Sequence, residues 1–292
     1  MCVTDDCVKL LCDAVLPCFN DPEPRVRYAC LHCCALAAPE HLGHMAAQGL
    51  PQIFAGICKL LQDQENPRVV AHAATCVMNF VDETNVPFAV LSAQLPSLSP
   101  ALMQSVQFGV SSGNAFVLQN SLAAFAALAD FEGALEHPAV SPVIPQLLQT
   151  CAQFASDFCA GPPATAISRS VRELETFARV CECLTMVMRG LPKEQVQQQT
   201  QQFVLATLPL MQAIDAIGTS RECQLDDGLR VGHPSEHPLF SYILGAWSRC
   251  ATVLGTECAK FLPSMAPIVL RAATMDVEVV EGGGDLDTAG TE

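Results

Sequence analysis

Cysteine and histidine are the residues of this chain whose spacing could support chemistry. Sixteen cysteines occur among the 292 residues. His72 and Cys76 share a helix face at i, i+4, where an imidazole could deprotonate a thiol, and His32 and Cys33 are neighbours. A nucleophile also needs a third orienting group and oxyanion donors. Because no strand-to-helix elbow or phosphate-binding glycine loop supplies them, we expect no enzymatic activity.

Metal binding and disulfide formation are the other uses that so many cysteines allow. Cys30, Cys33 and Cys34 form a CxxCC cluster, and Cys181 and Cys183 lie two residues apart. Neither cluster has a matching second pair at zinc-ligand spacing, and both fall inside helical patterns. The first residues carry acids instead of the apolar run of a secretory signal. We therefore expect reduced, buried thiols that pack like alanine or valine, no metal and no cofactor.

The charge of the chain restricts its partners. The formal net charge is -15 at pH 7, and a negative protein repels phosphate backbones and anionic lipid surfaces. No apolar run reaches the roughly 18 residues of a membrane span. The composition therefore indicates no direct nucleic-acid binding and no membrane binding, and it favours basic protein partners.

Helical periodicity runs through the whole sequence. Val69, Ala73, Val77 and Phe80, for example, recur at spacings of four, four and three, which places them on one face of an amphipathic helix. Prolines and polar clusters separate such segments, as expected where helices begin and end. Strand-like alternation of apolar and polar residues is almost absent. The pattern predicts an all-α chain.

Two of the breaks between helices resemble each other and indicate a repeat. Asn20–Val26 contains Asp-Pro-Glu-Pro-Arg-Val, and Asp63–Val69 ends in Asn-Pro-Arg-Val. Their separation of about 42 residues lies in the range of HEAT and armadillo repeats. An aspartate at the turn could pair with an arginine of the neighbouring repeat. The predicted inter-repeat ladder consists of Asp21, Arg25, Arg27, Asp63 and Arg68.

The sequence therefore predicts an α-solenoid of HEAT repeats over residues 1–275, arranged as a right-handed superhelical arch. Residues 276–292 contain six acids and neither Lys nor Arg, so we predict an acidic, disordered tail. An acidic surface loop is expected over 220–238. We expect five antiparallel helix pairs, followed by one extra helix at 258–275. The pairs are expected at 4–19 with 25–38, 46–63 with 66–83, 87–105 with 114–131, 138–159 with 167–190, and 193–217 with 237–255.

Three stretches of the chain, Asp21–Ala29, Leu61–Phe80 and Ser241–Pro263, resemble the importin-β (karyopherin-β) family of nuclear transport receptors. Members of this family are several times longer, so the chain resembles an interior block without the N-terminal repeats that carry the main Ran surface. The resemblance implies a receptor that wraps basic import signals of cargo proteins, releases them to Ran-GTP and contacts Phe-Gly nucleoporins. It also implies shuttling between cytoplasm and nucleus through the nuclear pore.

On that resemblance, the second helix of each pair lines the concave, cargo-binding face. Acids there could pair with basic cargo, an Asn could pair with an extended peptide backbone, and a Trp could stack on Lys or Arg. Solvated acids and a partly buried Trp are the alternatives, and a HEAT scaffold for another complex, such as a phosphatase or kinase complex, is the alternative function. The predicted cargo-binding residues are Asn79, Asp82, Glu83, Glu173, Glu175, Glu182 and Trp247.

Overall fold

Helices form most of the chain in the computed structural model, which describes residues 5–48, 50–81, 86–218 and 223–273. The predicted tail at 276–292 lies outside these residues. Three short 3₁₀ turns extend α1, α10 and α12. Within the described residues the helices are α1 Asp5–Val15, α2 Pro24–Gln48, α3 Leu50–Leu60, α4 Pro67–Phe80, α5 Phe88–Ser92, α6 Leu95–Ser111, α7 Ala115–Asp130, α8 Ile144–Cys159, α9 Pro163–Ala166, α10 Val171–Val187, α11 Lys193–Asp215, α12 Phe240–Leu254 and α13 Leu262–Ala273.

The helices pair in chain order and the pairs stack. Helix α1 packs on α2, α3 on α4, α6 on α7, α8 on α10 and α11 on α12, while α13 packs against α11. Helices α2, α4, α7, α10 and α12 also contact one another in that order and form the second-helix row, which contains the most extensive helix–helix contacts. The prediction of a solenoid with five pairs and one extra helix is confirmed over the described residues.

Small and aromatic side chains fill the seams between the helices. Gly109 of α6 lies where a Cβ atom would come within 2.8 Å of the Leu118 backbone nitrogen of α7, so only glycine permits this close approach. Phe158 of α8 stacks on Phe177 of α10 with ring centroids 4.0 Å apart. Interdigitation of this kind joins the two helices of a pair and excludes water from the seam between them.

Helix α2 is longer than predicted because it continues through Pro39 to Gln48. A proline inside a helix has no N–H, so the carbonyl of Ala35 lacks its usual i→i−4 donor. The Asn79 side chain of α4 supplies one, with Nδ2 donating to the Ala35 carbonyl oxygen at 3.0 Å. The break expected at residue 38 is therefore wrong, since a hydrogen bond from the next repeat satisfies the carbonyl that Pro39 leaves free.

The loop between α11 and α12 contains a two-stranded hairpin, Cys223–Gln224 with Arg230–Val231, in the stretch where the sequence predicted an acidic loop. This hairpin docks on the preceding repeat. The Asp226 N–H donates to the Ser168 carbonyl at 2.8 Å, and the Asp227 carboxylate accepts from the Val171 N–H at 3.0 Å. The acid thereby satisfies a free amide at the positive N-terminal end of α10.

A buried histidine holds the end of this loop. His237 is 2% exposed, its Nε2 lies 2.8 Å from the Ile167 carbonyl oxygen, and its Nδ1 accepts from the Leu239 N–H at 3.2 Å. Burial lowers the pKa of His237, and the bond to Ile167 opposes that effect only in part. A proton on Nδ1 would face the Leu239 N–H, so the fold requires neutral His237.

We expect Asn79→Ala to lower the free energy of unfolding by about 1–3 kcal/mol, because the Ala35 carbonyl is left without a donor. Urea denaturation followed by far-UV circular dichroism measures the change. In a Pro39→Ala background, residue 39 has an N–H that can donate to that carbonyl. Asn79→Ala should therefore lower the free energy of unfolding by less in that background. An equal cost in both backgrounds would contradict this explanation.

We also expect acid to destabilise the chain through His237. Because its pKa is lower in the folded than in the unfolded chain, the unfolded chain takes up the proton first as pH falls below about 6.5. Stability should therefore be retained at neutral pH and decrease toward acid. His237→Gln should be less stable at pH 7.5 but lose less further stability between pH 7.5 and 5.5. His72, whose pKa is also lowered, provides a separate His72→Gln comparison, and an unchanged pH slope in His237→Gln would argue against the assignment.

Candidate functional site

Three of the five acids predicted to bind cargo, Glu173, Glu175 and Glu182, lie on α10 of the second-helix row. Glu173 and Glu175 are exposed. Glu173 accepts from the Ser170 hydroxyl at 2.7 Å and so takes part in the cap of α10, while Glu182 is half-buried and pairs with Arg179 at 2.7 Å. Within the described residues Glu175 has no hydrogen bond or ion pair, so it is the most available carboxylate of this helix.

Two other predicted cargo contacts have structural roles. Trp247 is 2% exposed, and its indole Nε1 donates to the Thr207 hydroxyl at 2.9 Å. It packs in the core between α12 and α11, so the expectation that it contacts a peptide on the surface is corrected. Asn79 is half-buried and holds the Ala35 carbonyl. Asp82 and Glu83 lie outside the described residues, and their predicted role stays a prediction.

Of the ladder residues, Arg27 and Asp63 form the one predicted Arg–Asp pair between repeats in the described chain. The Arg27 Nε and Nη2 atoms both donate to Asp63 Oδ2, at 3.2 and 2.8 Å. Arg27 Nη1 donates to the Asp21 carbonyl at 2.6 Å, whereas the Asp21 carboxylate accepts from the Glu23 N–H at 2.8 Å. The guanidinium thereby ties the turn before α2 to the turn before α4.

Arg25 and Arg68 do not form the ladder pairs that the sequence predicted. Arg25 is exposed, and the Arg68 guanidinium carbon lies 4.4 Å from the centre of the Tyr28 ring. The physical reason is that the Asp63 carboxylate already accepts from Arg27 and, on its other oxygen, from the Asn66 amide at 2.9 Å. Arg68 therefore stacks on an aromatic ring of the preceding repeat.

Arginines that the sequence analysis did not select also join repeats. Arg189, just after α10, donates to the Ala129 carbonyl at the end of α7 at 2.8 Å. Arg249 of α12 donates to the Thr185 hydroxyl of α10 at 2.9 Å. Local sequence gives no signal for these contacts, because each joins residues about 60 positions apart.

A contiguous cluster of side chains lies on α2, α4 and α7. We name it the aromatic–histidine patch, and it consists of Tyr28, His32, Arg68, His72 and Phe116. The Tyr28 and His72 rings meet edge to face at 4.4 Å, and His72 meets Phe116 at 5.7 Å. His32 lies one helical turn from Tyr28, as His72 does from Arg68. The sequence analysis did not identify this patch, because its members belong to three different helices and do not occupy matching positions of the repeat.

Charge on the second-helix row differs from that of the whole chain. The net charge is -15, yet this row is rich in arginine. Its arginines are Arg25, Arg27, Arg68, Arg172, Arg179 and Arg249, and its acids are Glu40, Asp130, Glu173, Glu175 and Glu182. The acids that give the chain its charge therefore lie mainly on first helices, in turns and loops, and near the C-terminus.

A groove of about 550 Å³ opens between the third and fourth pairs. Leu118 and Phe158 form its apolar floor, and the Arg169 guanidinium lies 4.5 Å from the centre of the Phe158 ring. Arg172, Glu173 and Asp157 add charges of both signs along its margins. The groove is large enough to hold one peptide side chain.

The cysteines whose side chains the structure describes are mostly buried. All fourteen of them are free thiols. The Cys76 thiol is fully buried and donates to the Leu31 carbonyl at 2.9 Å, and burial raises its pKa well above the usual value. Burial also raises the pKa of Cys34 to about 12. These thiols are therefore poor nucleophiles at neutral pH.

The described residues contain no group of three or more His, Cys, Asp or Glu side chains arranged to hold a metal ion. No helix among them is both long and apolar enough to cross a membrane.

We expect iodoacetamide at pH 8 to alkylate Cys76 and Cys34 more than about a hundredfold more slowly in the folded than in the unfolded chain. Peptide mass spectrometry at timed intervals measures the rate for each thiol. Half-buried Cys33 is the internal comparison and should react before both. Rapid alkylation of Cys76 under native conditions would show that its thiol is accessible and contradict the burial argument.

The sequence is similar to one family model over part of its length and to one known protein over nearly all of it. Residues 2–82 match the family model of the Vacuolar 14 Fab1-binding region. Over 276 residues, covering 94% of this chain, the sequence is 23% identical to importin subunit beta-3 of Saccharomyces cerevisiae. The chain spans only 22% of the length of that relative.

Solved structures show the same fold. A crystal structure of Kap121p bound to Pho4p matches 93% of this chain and 22% of its own chain with a TM-score of 0.67 and 20% identity. Yeast importin-beta, Kap95p, matches 92% of this chain and 28% of its own with a TM-score of 0.61 and 16% identity. The resemblance of this α-solenoid to the importin-β family, inferred from the helix-pair breaks and the C-terminal stretch, is thus confirmed.

Proposed function

We propose that this chain is a segment of a nuclear transport receptor of the importin type, and that its second-helix row binds basic cargo proteins for import through the nuclear pore. The observation that supports this most directly is the similarity to importin subunit beta-3 along 94% of the chain. Because the chain spans 22% of that relative, the transport activity of the whole protein is part of the proposal. A stacked helical scaffold binds without transforming its partner, so the proposal includes no catalysis.

Helix α10 offers the best contact for a basic peptide. Glu175, Arg179 and Glu182 share one face at i, i+4 and i+7. The Arg179 guanidinium carbon lies 5.2 Å from the centre of the Tyr242 ring on α12. Since Arg179 is paired with Glu182 and packed on Tyr242, it is held in place, while the Glu175 carboxylate remains able to meet a cargo lysine.

Partners beyond cargo follow from the same proposal. Kap121p has been crystallised with Pho4p, Nup53p, the SUMO protease Ulp1p and the C-terminus of the phosphatase Cdc14p. For this chain we propose basic cargo, Ran-GTP and Phe-Gly nucleoporins as partners, and a location that alternates between cytoplasm and nucleus. We further propose that residues 1–275 act as one solenoid unit.

A scaffold in another complex is the second candidate function. The match of residues 2–82 to the Vacuolar 14 Fab1-binding region favours it, because that family model describes a region that binds a partner protein. In that case the second-helix row would hold a permanent neighbour instead of a released cargo.

The cargo proposal is tested with a fluorescent Lys-rich import peptide and the purified chain. We expect binding at low salt that high salt abolishes, because exposed charge pairs are screened. Glu175→Gln should weaken binding about three- to tenfold, which corresponds to one charge-assisted contact. Fluorescence anisotropy gives the affinity.

Glu194→Gln is the matched control, since Glu194 is also an exposed carboxylate but lies on α11, outside the second-helix row. It should leave the affinity within twofold of wild type. Binding that ignores salt and peptide charge, or that both variants weaken equally, would refute the assignment of basic cargo to α10.

A further inference from the structure

We propose that the aromatic–histidine patch binds an acidic segment of a partner protein. Carboxylates of the segment would meet Arg68 and also Arg25, which lies one helical turn before Tyr28 on α2, and an apolar side chain would meet Phe116. This site lies on α2, α4 and α7. It is separate from the α10 contact of the proposed function and does not depend on it.

The patch is a preformed surface. Tyr28 and His72 meet edge to face at 4.4 Å, and the Arg68 guanidinium carbon lies 4.4 Å from the centre of the Tyr28 ring. Tyr28 and His72 are half-buried, which restricts their rotation. Because aromatic rings lose little conformational entropy on binding, such a surface contributes contact area at low cost.

The patch and the α2 surface beside it have apolar side chains that are open to solvent. Phe116 is 44% exposed, and Leu36, one helical turn beyond His32 on α2, is 67% exposed. Exposed rings beside polar groups are typical of protein-binding surfaces. The described residues leave both side chains uncovered.

The charge of the patch selects the occupant. Neither the Arg25 nor the Arg68 guanidinium forms an ion pair within the described chain, and His32 is exposed beside them. A guanidinium stacked on a ring keeps the edges of its plane free to donate two parallel hydrogen bonds to a carboxylate. The exposed acids of this region, Glu23 and Glu65, lie in the turns before α2 and α4. A basic peptide would therefore be repelled at the centre of the patch.

An acidic peptide fits better than a nucleic acid. Two exposed guanidinium groups are few for a phosphate backbone, and the net charge of -15 opposes a polyanion much longer than the patch. A short segment with two or three carboxylates and one aromatic side chain matches both the cations and the exposed Phe116.

The experiment uses the full 292-residue chain and three fluorescent probes: a peptide of Glu, Asp and Phe, the same peptide with Lys in place of the acids, and a short single-stranded oligonucleotide. Anisotropy should show that the acidic peptide binds with an affinity that salt lowers and that the oligonucleotide does not bind; binding of the Lys peptide belongs to the α10 contact. The double variant Arg25→Gln and Arg68→Gln should bind the Lys peptide as wild type does and the acidic peptide about tenfold more weakly. Phe116→Ser, which removes an exposed ring, should also weaken it.

Arg230→Gln is the control, because Arg230 is an exposed arginine of the hairpin, away from the patch, the groove and the α10 contact, and it should leave the affinity within twofold. Thermal melts followed by circular dichroism establish that each variant is folded. The proposal is overturned if the acidic peptide does not bind, if the double variant binds it as wild type does, or if the oligonucleotide competes it from the patch.

Discussion

Each helix pair of this chain has an apolar face that it cannot cover alone, so the whole fold depends on the stacking of one pair on the next. Along the second-helix row this stacking is reinforced by polar side chains that cross the seams. Asn79 reaches the Ala35 carbonyl, and Arg249 reaches the Thr185 hydroxyl. Because a buried polar group needs its partner in one position, these bonds fix how far each helix can slide along its neighbour.

Local chemistry made the helix pairs predictable. A stripe of apolar residues and a proline at a helix start are both read from a few consecutive positions, and the described helices follow them closely. The continuation of α2 past Pro39 was not predictable in this way, because the donor that allows it, Asn79, belongs to the next repeat. The hairpin of the α11–α12 loop was missed for the same reason: its anchors are the Ser168 carbonyl and the Val171 amide of the repeat before it.

Residue type alone was a weaker guide to the site than to the fold. Glu175 and Trp247 both lie on amphipathic second helices, and only the rotation of each helix about its axis decides that the first faces solvent and the second the core. Arg68 was assigned to an aspartate ladder from its position in the repeat. Competition for one carboxylate decided otherwise, because Arg27 and Asn66 together occupy Asp63 and leave Arg68 to stack on Tyr28.

The difference between the charge of the chain and the charge of the second-helix row separates two stages of recognition. Net charge acts at a distance, where the value of -15 attracts basic proteins and repels polyanions. At physiological ionic strength the screening length is about 8 Å, and packed helices lie roughly 8–10 Å apart. A bound segment therefore responds mainly to the one or two helices that it touches. The net charge of the chain can therefore favour a basic partner during approach even though arginines line some of the contact surfaces. Each helix of the row can present a different charge to a different part of the same partner.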